Sequence, residues 1–362
     1  MRPRIQALDG LRFLAALGVL WIHSWTYFGN PRLILGHLDI ASVLAIGGNG
    51  VDLFFVISGF CMYFFYAGHR GFSYADFGRF LYKRWTRLSP AFYCATIIYL
   101  LFNMTRNGVS QTIVPSLITS ALYLNSILTK YNAGGHFWTL GTEWQFYILI
   151  PFLLIYQRII GFGKIFLLIF GLLTVLAVIS CVIFRDEIVD DLTAQILFRG
   201  IEFGFGIIAA RLLLRDYILI KHRLASLVLS VIVVYTGRVL ISGAAMSLSP
   251  RYHNLIKLSG FTLMGMGFAG VLYLAVTSQG PLSKFLSNRL FKTMGRISYS
   301  FYLWHGLVLS FCATYIVNFR LSAAVSPVLT TVVVAFVLYP ISYFSYLILE
   351  KPFLSRGNLT TK

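Results

Sequence analysis

The chain has 362 residues, 58% of them hydrophobic and 12% charged. A soluble domain carries roughly a quarter charged residues, so this sequence lacks the polar material to cover a water-facing surface. The formal net charge of +18 would suggest nucleic acid in a soluble protein. In a membrane protein its first explanation is retention of Lys and Arg in cytoplasmic loops, and no nucleic-acid partner is expected.

The first residues, MRPRIQ, are basic and lead into an apolar segment, as in a signal peptide. Asp9, Arg12 and His23 interrupt that segment and no clear small-residue cleavage site follows, so it reads as a retained first helix. A helix needs about 20 residues to cross a bilayer. Ten segments approach that length: 8–28, 44–67, 88–105, 136–157, 163–184, 193–214, 224–243, 257–277, 293–317 and 323–349. The Ser/Thr-rich stretch 111–129 is the weakest candidate, with a place along the outer surface as the alternative. The expected fold is therefore all-α: a polytopic membrane bundle of about ten helices, forming one domain over 1–362 with no soluble C-terminal domain.

With the N-terminus inside, twenty of the 30 Lys and Arg residues fall on the inner side. Only Arg32, Arg106, Lys130, Arg185, Arg251, Lys257 and Arg320 fall outside, while Arg12, Arg199 and Arg238 lie within spans. That asymmetry predicts two cytoplasmic termini. The cysteines, Cys61, Cys94, Cys181 and Cys312, are far apart and form no CxxC pair, so they read as packed thiols and no metal site is expected.

Ionisable groups inside a span cost roughly 2.5–3.5 kcal/mol each on insertion scales, so each needs a reason. Arg12 and His23 are eleven residues apart, close to three full turns, and share one face about 16 Å apart along the axis. Arg12 lies near the inner end and His23 near the outer one, as parts of a site or, alternatively, as a snorkelling Arg and a core His satisfied by a neighbouring hydroxyl. The fourth span opens HFWTLGTEWQFY, which puts Glu143 at about the depth of His23. A hydrogen-bonded carboxylate–imidazole pair is expected there; the alternative is an ion pair of Glu143 with an arginine such as Arg238. Trp138 sits at the outer interface, either as an aromatic anchor or as part of a site.

The segment 79-RFLYKRWTRLSP-90 is read as a basic loop in which Arg84 and Arg87, one turn apart, can face one pocket. Guanidinium groups suit phosphate oxygens, although topology retention alone explains the cluster. Arg199 and Glu202 can neutralise each other across one turn. Tyr299, Tyr302 and His305 follow one strip of the ninth span, as a site lining or as an aromatic seam. Gly265, Gly267 and Gly270 spell GxGxxG, but within an apolar span this indicates close helix packing, not dinucleotide binding.

With these residues in view, the chain resembles the membrane-bound acyltransferase family 3, which includes O-acetyltransferases of bacterial surface polysaccharides. The likeness rests on LDGLRFLAALGVLWIH (8–23), with an Arg, ten intervening residues and a His. It rests also on GVDLFFVISGF (50–60), RWTRLSP (84–90), FWTLGTEWQFYILIP (137–151) and ISYSFYLWH (297–305). The resemblance implies acetyl transfer from cytoplasmic acetyl-CoA to a glycan or glycolipid acceptor outside the bacterial inner membrane. On that expectation His23, Glu143 and Arg12 are catalytic: His23 is the base, Glu143 orients it or shares its proton, and Arg12 steadies charge along the donor path. Arg84, Arg87 and Lys83 handle the acetyl-CoA donor, and Trp138, Tyr302 and His305 line the substrate path. The rival expectation is a transporter or flippase of an anionic or lipid-linked substrate, using the same buried charges.

Overall fold

The computed structural model describes residues 5–31, 34–35, 38–39, 49–68, 72–215, 220–242, 252–277, 280–317, 319, 322 and 325–356. Arg2, Arg4, Arg32, Arg70, Arg251, Arg320 and Lys362, used above for orientation, lie outside them, as does the start of the 44–67 span. The described chain is helical apart from a short antiparallel ribbon pairing Ile34–Leu35 with Leu38–Asp39.

Fourteen helices follow the chain: α1 Ala7–Tyr27, α2 Gly50–Tyr66, α3 Tyr74–Asn107, α4 Ile113–Ala121 and α5 Trp138–Tyr156. Then come α6 Phe162–Ile183, α7 Asp186–Leu192, α8 Ile196–Leu214, α9 Arg223–Ile241 and α10 His253–Thr277. The last are α11 Pro281–Leu286, α12 Arg289–Arg296, α13 Ser298–Val317 and α14 Val325–Leu354.

Seven of these are long and apolar enough to cross a membrane: α1, α3, α6, α9, α10, α13 and α14. Large apolar side chains point away from the protein along them; Phe336 on α14 is 82% exposed, which suits lipid and not water. Of the remaining expected spans, α2 has 17 residues, and α5 and α8 are diluted by Glu143 and Gln145 and by Arg199, Glu202 and Arg211. These helices bring polar groups to the interior, as α1, α3, α13 and α14 also do. With nine residues, α4 reaches only about 14 Å, too short to cross.

One expectation is overturned. Residues 79–90 are not a loop but part of α3, which runs 34 residues from Tyr74. Its start is fixed by a capping box, in which the Ser73 backbone N–H donates to Asp76 Oδ2 at 3.0 Å. Pro90 lies inside this helix, where its missing donor is tolerable because neighbouring groups can compensate.

Helix α1 is enclosed by α2, α12, α13 and α14. Two glycines make the approach possible. A Cβ on Gly50 would lie 2.0 Å from the Ala15 carbonyl oxygen, and one on Gly295 would lie 2.1 Å from that of Asp9. Only a residue without a side chain lets α2 and α12 touch the α1 backbone there. The GxGxxG glycines act similarly: Gly267 and Gly270 on α10 abut Ser230 of α9, and Gly265 abuts Glu202 of α8. Two large apolar cores and a smaller one result. The first is built mainly on α2, α5, α8 and α10 and the second mainly on α3, α13 and α14, with α1, α3 and α5 contributing to both; the small one joins α6, α7, α8 and α10.

Candidate active site

Between the two large cores lies a cavity with about 900 Å³ of atom-free space, part of it open to its surroundings. Four guanidinium groups (Arg12, Arg84, Arg87 and Arg296) and two carboxylates (Glu143 and Glu350) line it. The 3.6-residue period of α3 turns Arg84 and Arg87 to the same side. Arg84 donates to the Tyr66 hydroxyl at 2.9 Å, while its Nε is buried without a partner. Arg87 makes no hydrogen bond or ion pair among the described residues. Arg12 reaches Cys61 Sγ at 3.3 Å and Asp9 at 3.7 Å. Excess cation with uncommitted donors is chemistry suited to phosphate oxygens. Lys83, grouped with these arginines from sequence, does not line the cavity.

The expected Glu143–His23 pair does not form. Glu143 Oε1 instead accepts from Ser58 Oγ at 2.9 Å and from the Tyr147 hydroxyl. Nor does Glu143 pair with Arg238. Matching depth gave the two groups a common height, but His23 turns toward α13, whereas Glu143 turns into the cavity.

His23 meets two other histidines. Its Nδ1 lies 2.8 Å from His305 Nε2. The rings are nearly parallel, at 8°, with centroids 5.0 Å apart, the spacing of rings meeting nitrogen to nitrogen and not face to face. His136, in the turn before α5, packs its ring 4.3 Å from that of His305. The tautomers follow from the acceptors. His305 Nδ1 bonds the Tyr302 carbonyl oxygen, which can only accept, so that nitrogen carries the proton. In neutral His305, Nε2 then accepts, and His23 must donate from Nδ1. His23 Nε2 is left as a lone pair with no partner among the described residues. That is the arrangement of a general base oriented by a second group. His136 likewise donates from Nε2 to the Leu303 carbonyl at 3.2 Å. Although three histidines meet, no group of His, Cys, Asp or Glu among the described residues is arranged to hold a metal ion.

None of the three histidines lines the cavity; the wall nearest to them is Thr139 and Tyr302. The hydroxyls of these two lie 2.7 Å apart, and Tyr302 donates to the His136 carbonyl at 2.9 Å. Gly306 keeps the region tight, since a Cβ there would lie 2.9 Å from the Tyr99 hydroxyl and 3.2 Å from the His136 ring. Of the aromatic strip on α13, Tyr299 and Tyr302 face the cavity and His305 lies just beyond.

Trp138 does not line the cavity. Its ring packs on Phe55 and lies 5.3 Å from the Arg199 guanidinium. Arg199 bridges Glu202 at 3.1 Å, the expected pair, and also Asp52 at 2.7 Å. Sequence reasoning missed Asp52, His136 and Glu350. Each sits at the end of an apolar run, where a polar residue reads as a span boundary; only the His directly before FWTLGTEW offered a signal. Glu350 is turned inward by a π-helical turn, Tyr346–Glu350, a distortion frequent at functional sites. There it accepts from Ser300.

The O-acetyltransferase OatA of Staphylococcus aureus (strain NCTC 8325 / PS 47) is 24% identical over 380 residues, which cover 98% of this chain and 58% of that protein. The same values hold for OatA of strain COL. A further protein of strain COL, provisionally named an O-acetyltransferase, is 25% identical over 382 residues, covering 98% of this chain and 58% of its own length. The chain thus spans less than two thirds of these relatives. No solved structure matches it at a meaningful level. The sequence pattern of the family described as "Acyltransferase domain" matches residues 5–347, and the chain belongs to that family.

Proposed function

We propose that this protein is a membrane O-acetyltransferase that moves an acetyl group from cytoplasmic acetyl-CoA to a hydroxyl of a cell-surface or exported glycan. The acceptor is a glycan or glycolipid, and the protein sits among the lipids of the bacterial inner membrane. In this reading ten helices cross the bilayer, including α2, α5 and α8, and both termini face the cytoplasm. The observation that supports the reading is a cavity rich in arginine whose wall residue Tyr302 adjoins His305, the hydrogen-bond partner of His23, with the His23 Nε2 uncommitted among the described residues.

Arg84 and Arg87 hold the donor phosphates, and the thioester arm reaches past Thr139 and Tyr302. His23 Nε2 takes the proton of the acceptor hydroxyl as that oxygen attacks the thioester carbonyl. Collapse of the tetrahedral intermediate breaks the carbon–sulfur bond, and CoA leaves as a thiolate that is then protonated. Arg12 steadies negative charge along the donor path. His305, not Glu143, orients the base; Glu143 holds Ser58 and Tyr147 at the cavity wall.

Purified protein with radiolabelled acetyl-CoA and an oligosaccharide acceptor tests this. Wild type is expected to release CoA and label the acceptor, and His23→Ala to lose about 10²–10⁴ of the rate. Labelling by His23→Ala at the wild-type rate removes the base from the scheme. Movement of an anionic substrate across the bilayer without CoA release would favour transport instead.

A further inference from the structure

A second concavity opens where three helix ends meet. Tyr63, Ala67 and Gly68 come from the end of α2, Gln157 and Arg158 from the end of α5, and Arg211, Leu214 and Arg215 from the end of α8. Gly161 and Phe162, at the start of α6, complete a wall around about 1100 Å³ of atom-free space. Three guanidinium groups line it and, among the described residues, no carboxylate does.

Arg211 is the informative residue. It is half-buried, its guanidinium carbon lies 3.8 Å from the Phe162 ring centroid, and its Nη1 donates to the Tyr63 hydroxyl at 3.1 Å. Tyr63 in turn donates to Gln157 Oε1 at 2.8 Å. Neither Arg158 nor Arg211 forms an ion pair among the described residues. Topology retention and favourable placement near a helix C-terminus explain why cations occur here. They do not explain why one lies over an aromatic ring, tethered by a hydroxyl and half-buried, with no counter-charge among the described residues. An arginine retained for topology alone would extend into water. A planar fork fixed in advance loses little freedom on binding, and it matches two oxygens of one phosphate. The mouth stays clear: Gly161, at φ +89°, turns the chain tightly, and a Cβ there would meet nothing within 4 Å.

We infer that this pocket is a phosphate-binding site, separate from the acyl-transfer cavity, for a phosphate carried by an anionic lipid headgroup or a soluble phosphate ester. Basic pockets between helix ends are a known form of headgroup recognition. The inference does not rest on the proposed acetyl transfer.

The test uses the full chain in a neutral detergent. Dissociation constants are measured for short-chain phosphatidylglycerol, for short-chain phosphatidylcholine and for inorganic pyrophosphate. The variants are Arg211→Lys, Arg211→Ala, Arg158→Ala and, as a remote control, Arg106→Ala. Wild type is expected to bind phosphatidylglycerol or pyrophosphate, with binding weakened at least fivefold by Arg158→Ala and more by Arg211→Ala. Arg211→Lys, which keeps the charge and loses the fork, should fall between. Arg158 is exposed and outside the stacked network, so its variant keeps the test valid if Arg211→Ala folds poorly. Saturation by phosphatidylglycerol alone assigns a lipid source, and saturation by pyrophosphate alone a soluble one. Unchanged affinity in Arg158→Ala and Arg211→Lys, or an equal loss in Arg106→Ala, overturns the inference, since diffuse surface charge would then suffice.

Discussion

Replacing His305 by Ala should slow acetyl transfer without weakening donor binding. His305 Nε2 lies 2.8 Å from His23 Nδ1; in the proposed mechanism it is the acceptor that keeps the His23 proton there and so leaves Nε2 available as base. A hydrogen bond of this kind contributes about 0.5–1.5 kcal/mol net, while a buried donor left unpaired costs about 1–3 kcal/mol. With tenfold for each 1.4 kcal/mol, losing the acceptor both frees the wrong tautomer and misplaces the ring. The expected fall in kcat is about tenfold to a hundredfold, smaller than for His23→Ala. The KM for acetyl-CoA should stay within about twofold, because the arginines that line the cavity are untouched. His305→Gln retains an acceptor oxygen and should recover part of the rate. The assay is label transfer from acetyl-CoA to an oligosaccharide over a range of donor concentrations. A wild-type kcat in His305→Ala, or a loss confined to KM, would refute the reasoning.

Arg87→Ala removes a guanidinium that has no hydrogen-bond or ion-pair partner among the described residues, so on the proposed mechanism its effect should appear in the donor KM. At about 1.5–3 kcal/mol for a hydrogen bond to a charged group, a rise of roughly tenfold to a hundredfold is expected in initial-rate measurements, whereas Lys83→Ala should change it little. Gly50→Val forces a side chain against the Ala15 carbonyl, which an ideal Cβ would already approach to 2.0 Å. Thermal unfolding in detergent should show destabilisation of about 1–3 kcal/mol or more. Arg199→Ala strands Asp52 and Glu202 as buried carboxylates, at a cost of about 3–5 kcal/mol; yield and melting temperature should fall together.

The sequence carried the parts of this picture that depend on one helix at a time. Helical periodicity put Arg12 and His23 on one inward face and Arg84 beside Arg87, and composition identified the apolar helices. What it lacked was azimuth and neighbour identity. Equal depth suggested His23 with Glu143, yet α1 packs beside α13, so the nearest polar group is His305. The basic segment 79–90 reads as a loop because four cations cluster there, whereas α3 runs through them and through Pro90 once its start is capped at Ser73. Asp52 and Glu350 were hidden for a related reason. An acid at the edge of an apolar run is normally a solvated boundary, and only tertiary packing shows that these two fold inward.

Removal of the Nε2 lone pair at residue 23 tests the account most directly. Surface glycan would be isolated from cells that carry wild type, His23→Ala or no copy of this chain, and weighed by mass spectrometry. Acetylated sugar with wild type alone is the predicted result. Equal acetylation with the His23→Ala protein would mean that the chemistry is done elsewhere.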